Sequence, residues 1–173
     1  MNAFPDLIGQ KQAIKLLTAA IERNKIAPAY LFSGTSGVGK SIAAKYFSRL
    51  LLTGSSQISV ENHPDLFWVE PSCLHKGQLL TKKQAIKADL KSKVSSVVRI
   101  EQIREIVSFI SRPPLKASRS LIIIEDAETM TEAAANALLK TLEEPGKATI
   151  VLIASSNDSL LPTLISRCQR IPF

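Results

Sequence analysis

The sequence predicts an α/β domain whose parallel sheet is covered by helices on both faces. Two observations carry this reading. Apolar runs of strand length alternate with stretches of helical periodicity, and three of the runs are uninterrupted, as expected for strands buried on both sides. A chain of 173 residues suits one domain and buries a core without metal or disulfide staples. Its 45% hydrophobic and 21% charged residues are globular rather than disordered composition.

The elements follow in order. Ile14, Leu17 and Ile21 recur at helical spacing within residues 6–23, with Lys15, Glu22 and Arg23 on the other side. Ala29-Tyr30-Leu31-Phe32 is a buried strand stopped by a glycine-rich turn. Ser41 to Leu52 is a helix with Ala44, Phe47 and Leu51 on one face, and Thr53 to Asn62 is polar loop. Leu66-Phe67-Trp68-Val69 is a second strand. Ile100 to Ile110 is an amphipathic helix through Ile103, Ile106, Val107 and Ile110, closed by Pro113-Pro114. Leu121 to Ile124 is a fully buried strand. Thr131 caps a helix from Glu132 to about Glu143, ended by Pro145-Gly146. Thr149 to Ala154 is another strand, Leu160 to Ile165 a helical turn, and Cys168 to Phe173 the final strand.

Composition excludes several classes. The longest aliphatic runs, Leu50 to Leu52 and Leu121 to Ile124, fall far short of the about 20 residues of a membrane span, so no membrane partner is expected. The first residues, Met1 to Asp6, carry no basic start followed by an apolar stretch, against a secretory signal. Cys73 and Cys168 are too few for a disulfide framework or a four-thiolate zinc site; they read as free thiols in a reducing cytoplasm.

The net charge of +7 is local. Lys76, Lys82, Lys83, Lys87, Lys91, Lys93 and Arg99 face one acid, Asp89, and the rest of the chain is nearly balanced. Residues 72–98 therefore read as a mostly exposed basic insertion with a short helix at Thr81 to Asp89. It is either a solvated loop or a surface for DNA phosphates or an acidic partner. No aromatic residue lies within residues 76–99 to stack on bases.

The chemistry starts at Gly34-Thr35-Ser36-Gly37-Val38-Gly39-Lys40-Ser41, which matches G-x-x-x-x-G-K-[ST] at every fixed position, between a strand and a helix. Glycines let successive N–H groups face a phosphate, and the helix start adds positive potential. Lys40 would reach the β- and γ-phosphates, and the Ser41 hydroxyl would ligate Mg²⁺. The fold class thus narrows to a P-loop NTPase-type sheet.

Ile122-Ile123-Ile124-Glu125-Asp126 puts two acids at the carboxyl end of a buried strand, where ligands bind in such sheets. One carboxylate would hold the metal and a second would orient an attacking water. The usual Asp-then-Glu order is reversed: Glu125 is one methylene long for the metal and Asp126 one short for the water. The alternative is a solvated acidic turn. Ser155-Ser156-Asn157 follows the next strand and is either a γ-phosphate sensor or a local turn. Arg167, in Ser166-Arg167-Cys168, either pairs at the surface or acts in trans on a neighbour's phosphate, a task that suits its permanent charge and donor fork.

Taken together, these motifs resemble the first domain of bacterial clamp-loader subunits, in the AAA+ ATPase class. The resemblance rests on Asp6-Leu7-Ile8-Gly9-Gln10, the P-loop, His63-Pro64-Asp65-Leu66, Ala133 to Pro145 (AAANALLKTLEEP) and Ser166-Arg167-Cys168. It spans most of the chain apart from the basic insertion. The His-Pro-Asp stretch and Arg99 to Glu105 (RIEQIRE) favour the delta-prime branch of DNA polymerase III over the gamma/tau motor branch.

The resemblance implies one AAA+ nucleotide-binding domain over residues 1–173, with the helical lid and C-terminal collar of relatives lying outside the sequence. Ile8 and Gly9 would flank adenine; residues 34–41 would bind ATP or ADP; Ser41 and Glu125 would serve Mg²⁺. Glu125 and Asp126 occupy the acidic-pair position, Ser156 or Asn157 that of the first sensor, and Arg167 that of a finger acting in trans. Zinc is not expected, since Cys73 alone stands where many relatives carry four cysteines. The implied work is loading a sliding clamp on primed DNA together with gamma/tau and delta subunits. Intrinsic ATPase activity is expected to be weak or absent. The alternatives are a hydrolysing gamma/tau-like motor subunit and, more remotely, an unrelated P-loop kinase.

Overall fold

A computed structural model describes residues 4–75, 77–81, 84, 96–156 and 158–173. Seven strands follow in chain order: β1 (Ala29–Ser33), β2 (Leu66–Val69), β3 (Ser72–His75), β4 (Gln78–Thr81), β5 (Ser120–Ile124), β6 (Ala148–Ala154) and β7 (Gln169–Pro172). The helices are α1 (Lys11–Glu22), α2 (Lys40–Thr53), α3 (Ile100–Ile110), α4 (Glu132–Glu143) and α5 (Pro162–Ile165), with a 3-10 turn at Ala127–Thr129. The boundaries of α3 and α4 coincide with those expected from periodicity. At the head of α4 the Thr131 hydroxyl accepts from the Ala134 N–H at 3.2 Å, the expected cap.

Five strands form one parallel sheet in the order β2-β5-β6-β1-β7. Every residue of β1, β5 and β6 is buried, which explains their unbroken apolar sequence, whereas edge strands β2 and β7 are partly exposed. Alternation along these strands divides the core. Leu31, Ile122, Ile124, Ile150 and Leu152 pack with Ile103 and Ile106 of α3, Leu138 of α4 and Leu164 of α5. Tyr30, Phe32, Ile123, Val151 and Ile153 pack with Leu17 of α1 and Phe47 of α2. The Tyr30 and Phe47 rings meet edge to face, 5.3 Å between centroids.

The chain leaves β1 through α2 for the far edge at β2, returns through β5 and β6, and then passes over β1 to β7. The connections leaving β1 and β6 therefore run to opposite faces, since α2 packs on one and α5 on the other. This reversal opens a crevice at the carboxyl ends of β1 and β6, the place where such sheets bind ligands.

The described residues of the basic segment include an antiparallel hairpin that the sequence reading does not contain. β3 and β4 pair as an antiparallel hairpin around Gly77, whose φ of +79° suits glycine. Ser72 and Cys73 are buried, and Ser72 and Val97 exchange backbone hydrogen bonds of 2.9 and 3.1 Å. Both ends of the segment are thus built into the fold. Thr81 and Gln84 form reciprocal bonds, Thr81 N–H to Gln84 Oε1 at 2.9 Å and Gln84 N–H to Thr81 Oγ1 at 3.4 Å, which is helix-start geometry. The rest of the expected helix to Asp89, and Lys76, Lys82, Lys83, Lys87, Lys91 and Lys93, lie outside the described residues. Among the described residues no helix is long and apolar enough to cross a membrane.

Candidate functional site

The site grows from the loop between β1 and α2. Gly37 and Gly39 take φ of +84° and +99°, a region that side chains disfavour, and Gly39 is the residue before the first turn of α2. Gly34 needs its missing side chain for another reason: a Cβ there would lie 2.7 Å from the Phe173 carbonyl oxygen. The loop is tied to β6 by the Gly34 N–H, which donates to the Ala154 carbonyl at 3.4 Å.

Lys40 is 8% exposed. Its ammonium donates to the carbonyls of Gly34 at 2.5 Å and Thr35 at 2.7 Å, so the side chain folds across the mouth of its own loop. Burial pushes this ammonium below the ordinary lysine range, while the charges of Glu128 and Asp126 pull it back up. A phosphate entering the loop would offer Lys40 charged oxygens in place of these two carbonyls.

The carboxylate beside Ser41 is Glu125, at the end of β5. Burial raises its pKa; the Ser41 hydroxyl, donating to it, opposes the rise, Glu70 and Asp126 add to it, and Trp68 opposes it. A hydroxyl and a carboxylate in contact at the start of α2 form a hard oxygen pair of the kind that would hold Mg²⁺. Asp126 behaves differently. It is exposed, adopts the left-handed conformation with φ of +44°, and opens the 3-10 turn, where its carbonyl accepts from the Thr129 N–H and hydroxyl, each at 2.8 Å. The adjacent acids thus differ in exposure, with Glu125 half-buried beside Ser41 and Asp126 exposed at the start of the 3-10 turn.

The N-terminal residues form a strap over this loop. Phe4 is buried against the Tyr46 ring at 6.0 Å, and the Tyr46 hydroxyl donates to the Asp6 carboxylate. Leu7 packs where a Cβ on Gly39 would otherwise fall, 2.7 Å from its Cδ1. Gln10 donates to the Val38 carbonyl at 3.2 Å. Between them Ile8 is 88% exposed and Gly9 turns at φ +82°, so the two expected base neighbours stand outward beside the loop.

Of the sensor candidates, Ser155 and Ser156 are exposed at the end of β6, and Asn157 lies outside the described residues. The Ser155 N–H donates to Glu128 Oε1 at 3.0 Å, while Glu128 Oε2 is buried without a hydrogen-bond partner. Glu128, whose charge holds the Lys40 ammonium up more than that of Asp126, is marked by no local pattern in the sequence.

Arg167 stands apart from this site. β7 runs parallel to β1, with Gln169 beside Tyr30 and Phe173 N–H bonded to the Ser33 carbonyl at 2.8 Å. The four steps from Gln169 to Phe173 span about 13 Å at about 3.3 Å per residue, so Arg167 sits at the sheet's opposite, amino end. There it donates to Glu143 at 2.9 Å and to the Thr163 carbonyl at 3.0 Å, both on the surface.

The two thiols are free: Cys73 is buried, and burial pushes the half-buried Cys168 up to about 11. Among the described residues no group of three or more His, Cys, Asp or Glu side chains is placed to hold a metal ion.

Comparison with known proteins agrees with this architecture. The chain is 35% identical to the DNA polymerase III subunit delta′ of Bacillus subtilis, over 95% of this chain and 47% of the relative. It is 32% identical to the tau subunit of the same organism, over 98% of this chain and 29% of that one. The chain thus spans about half or less of these relatives. Among solved structures, a DNA polymerase III gamma subunit-related protein of Thermotoga maritima superposes with a TM-score of 0.66 at 24% identity, over 94% of this chain and 45% of that one. RuvB of Thermotoga maritima superposes with a TM-score of 0.63 at 16% identity, over 100% of this chain and 48% of that one. The fold is therefore that of AAA+ P-loop domains. A family model described as DNA polymerase III, delta subunit, matches residues 9–173, and the chain belongs to that family.

Proposed function

We propose that the chain is the nucleotide-binding domain of a DNA polymerase III clamp-loader subunit. In this reading it binds ATP or ADP with Mg²⁺ at residues 34–41, assembles with gamma/tau and delta subunits, and helps load the sliding clamp on primed DNA. Ile8 and Gly9 flank the base, Lys40 meets the β- and γ-phosphates, and Ser41 with Glu125 holds the metal. The lid and collar belong to the whole subunit.

The observation that carries the reading is the separation of Arg167 from its own P-loop by the length of the sheet. That arginine has no route to the nucleotide of its own chain but is exposed to a neighbour's. Its tie to Glu143 is an exposed ion pair, worth about 0–1 kcal/mol at most, so a neighbouring phosphate displaces it at little cost. The delta-prime role, structural and regulatory rather than motor, is favoured by the reversed order of the acidic pair, which sets the longer Glu125 beside Ser41 and leaves the shorter Asp126 as the second acid.

The test is Arg167→Ala in the full-length subunit, measured alone and in a reconstituted loader. ATP affinity of the subunit alone stays at the wild-type value. ATPase of the assembled loader falls, since a finger acting in trans is worth about 10³ to 10⁵ in rate at the site it serves. Unchanged loader turnover removes Arg167 from the mechanism.

A further inference from the structure

The contact between Gln10 and the P-loop carries a role that goes beyond the nucleotide site as read above, and it rests on that reading. Gln10 Nε2 donates to the Val38 carbonyl across 28 residues of sequence. The Val38–Gly39 peptide is planar and trans, as are all the described peptide bonds, so its C=O and N–H point in opposite directions. Holding the carbonyl toward the strap therefore fixes the Gly39 N–H away from the strap, into the loop. Gly39 at φ +99° has a wide choice of conformations, and without the hydrogen bond this peptide is free to flip.

Two further contacts make the strap a firm anchor. Leu7 packs on Gly39, the other half of the same peptide, and a Cβ on that glycine would meet it at 2.7 Å. Phe4 and Asp6 bind Tyr46, a residue of α2, so the strap is fastened to the helix that the loop leads into. We infer that Gln10 is a positioning residue for the phosphate cradle: its side-chain amide sets the Val38–Gly39 peptide so that the Gly39 N–H faces the phosphates of a bound nucleotide. The same strap presents Ile8 and Gly9, so base contact and cradle geometry share one rigid segment.

Gln10→Met keeps the length and removes the donor; Gln10→Glu keeps the shape and sets a carboxylate against the Val38 carbonyl. The experiment measures the affinity of the full-length protein for a fluorescent ADP, and its displacement by unlabelled ADP and by inorganic pyrophosphate. Thermal unfolding confirms that the variants are folded. Losing one positioning hydrogen bond weakens ADP by about five- to tenfold in Gln10→Met, and more in Gln10→Glu. Pyrophosphate, which has no base, weakens by the same factor. That matched loss separates cradle positioning from a contact to adenine or from general destabilisation.

Loss of ADP affinity with pyrophosphate unchanged assigns Gln10 to the base and overturns the inference. Wild-type affinity for both ligands in Gln10→Met overturns it as well. A wild-type protein that binds neither ligand overturns the nucleotide reading itself, an outcome distinct from the other two.

Discussion

Gly34 and Phe173 share a space that holds no side chain on the glycine: a Cβ on Gly34 would lie 2.7 Å from the Phe173 carbonyl oxygen and 3.0 Å from its Cβ. The first glycine of the phosphate loop therefore stands against Phe173, the residue that follows β7, while Arg167 precedes the other end of that strand. Gly34→Ala must move backbone rather than a flexible tip, and strain of that kind costs about 1–3 kcal/mol. Gly37→Ala meets no atom within 4 Å and pays only for its φ of +84°, about 1 kcal/mol. Thermal melts should show the larger loss for Gly34→Ala. Equal losses would mean that the Phe173 contact does not constrain the loop.

Asp65, 2% exposed, is the acid of the His-Pro-Asp stretch, and its carboxylate accepts from the N–H groups of Leu115 at 2.6 Å, Lys116 at 2.8 Å and Ala117 at 2.7 Å. Burial works against its charge, but the bonds from Leu115, Ala117 and Lys116 prevail and hold its pKa below the ordinary value. A carboxyl depressed in the folded state adds stability that is complete above its unfolded pKa of about 3.9 and is lost as pH falls through the folded value. Asp65→Asn turns an amide toward three donors and should cost about 2–4 kcal/mol at neutral pH. The cost should begin to shrink in melts below about pH 4, where the unfolded chain's carboxyl takes up its proton, and go on shrinking as pH falls through the lower folded value. A difference between the two proteins that does not change down to acid pH would show that the charge on Asp65 is not what holds residues 115–117.

Hydrolysis should be slow in the subunit alone. Glu125 is engaged with Ser41, and Asp126, the shorter acid, sits in a left-handed turn, so the reversed pair is poorly set to orient a water at the γ-phosphate. Steady-state ATPase well below about 1 s⁻¹ is expected. Turnover in the ordinary enzyme range would favour the gamma/tau-like motor reading.

Much of this was legible in the sequence, and the parts that were not share a cause. β1, β5 and β6 announce themselves because both faces are buried, and α3 and α4 because Pro113-Pro114, Thr131 and Pro145-Gly146 punctuate them. β3 and β4 escape notice because each has only four residues, with no alternation of buried and exposed positions, within a lysine-rich stretch. Lys40 and Ser41 are readable because one contiguous motif sets their spacing. Gln10 and Glu128 are not, because their partners lie 28 and 27 residues away and only the closed fold brings them together. Asp65 reads as a family signature in sequence and emerges in the structure as the clamp of a loop 50 residues on.

The most direct test is calorimetric titration of Mg²⁺-ADP into the wild-type protein and into Lys40→Ala. The Lys40 ammonium now bonds to the Gly34 and Thr35 carbonyls and would exchange them for phosphate oxygens. Charge-assisted bonds of this kind are worth about 1.5–3 kcal/mol, so removing the ammonium should weaken ADP by about 10- to 100-fold. Thermal unfolding without nucleotide should show both proteins folded. Equal ADP affinity in the two proteins would contradict the assignment of residues 34–41 as the nucleotide site.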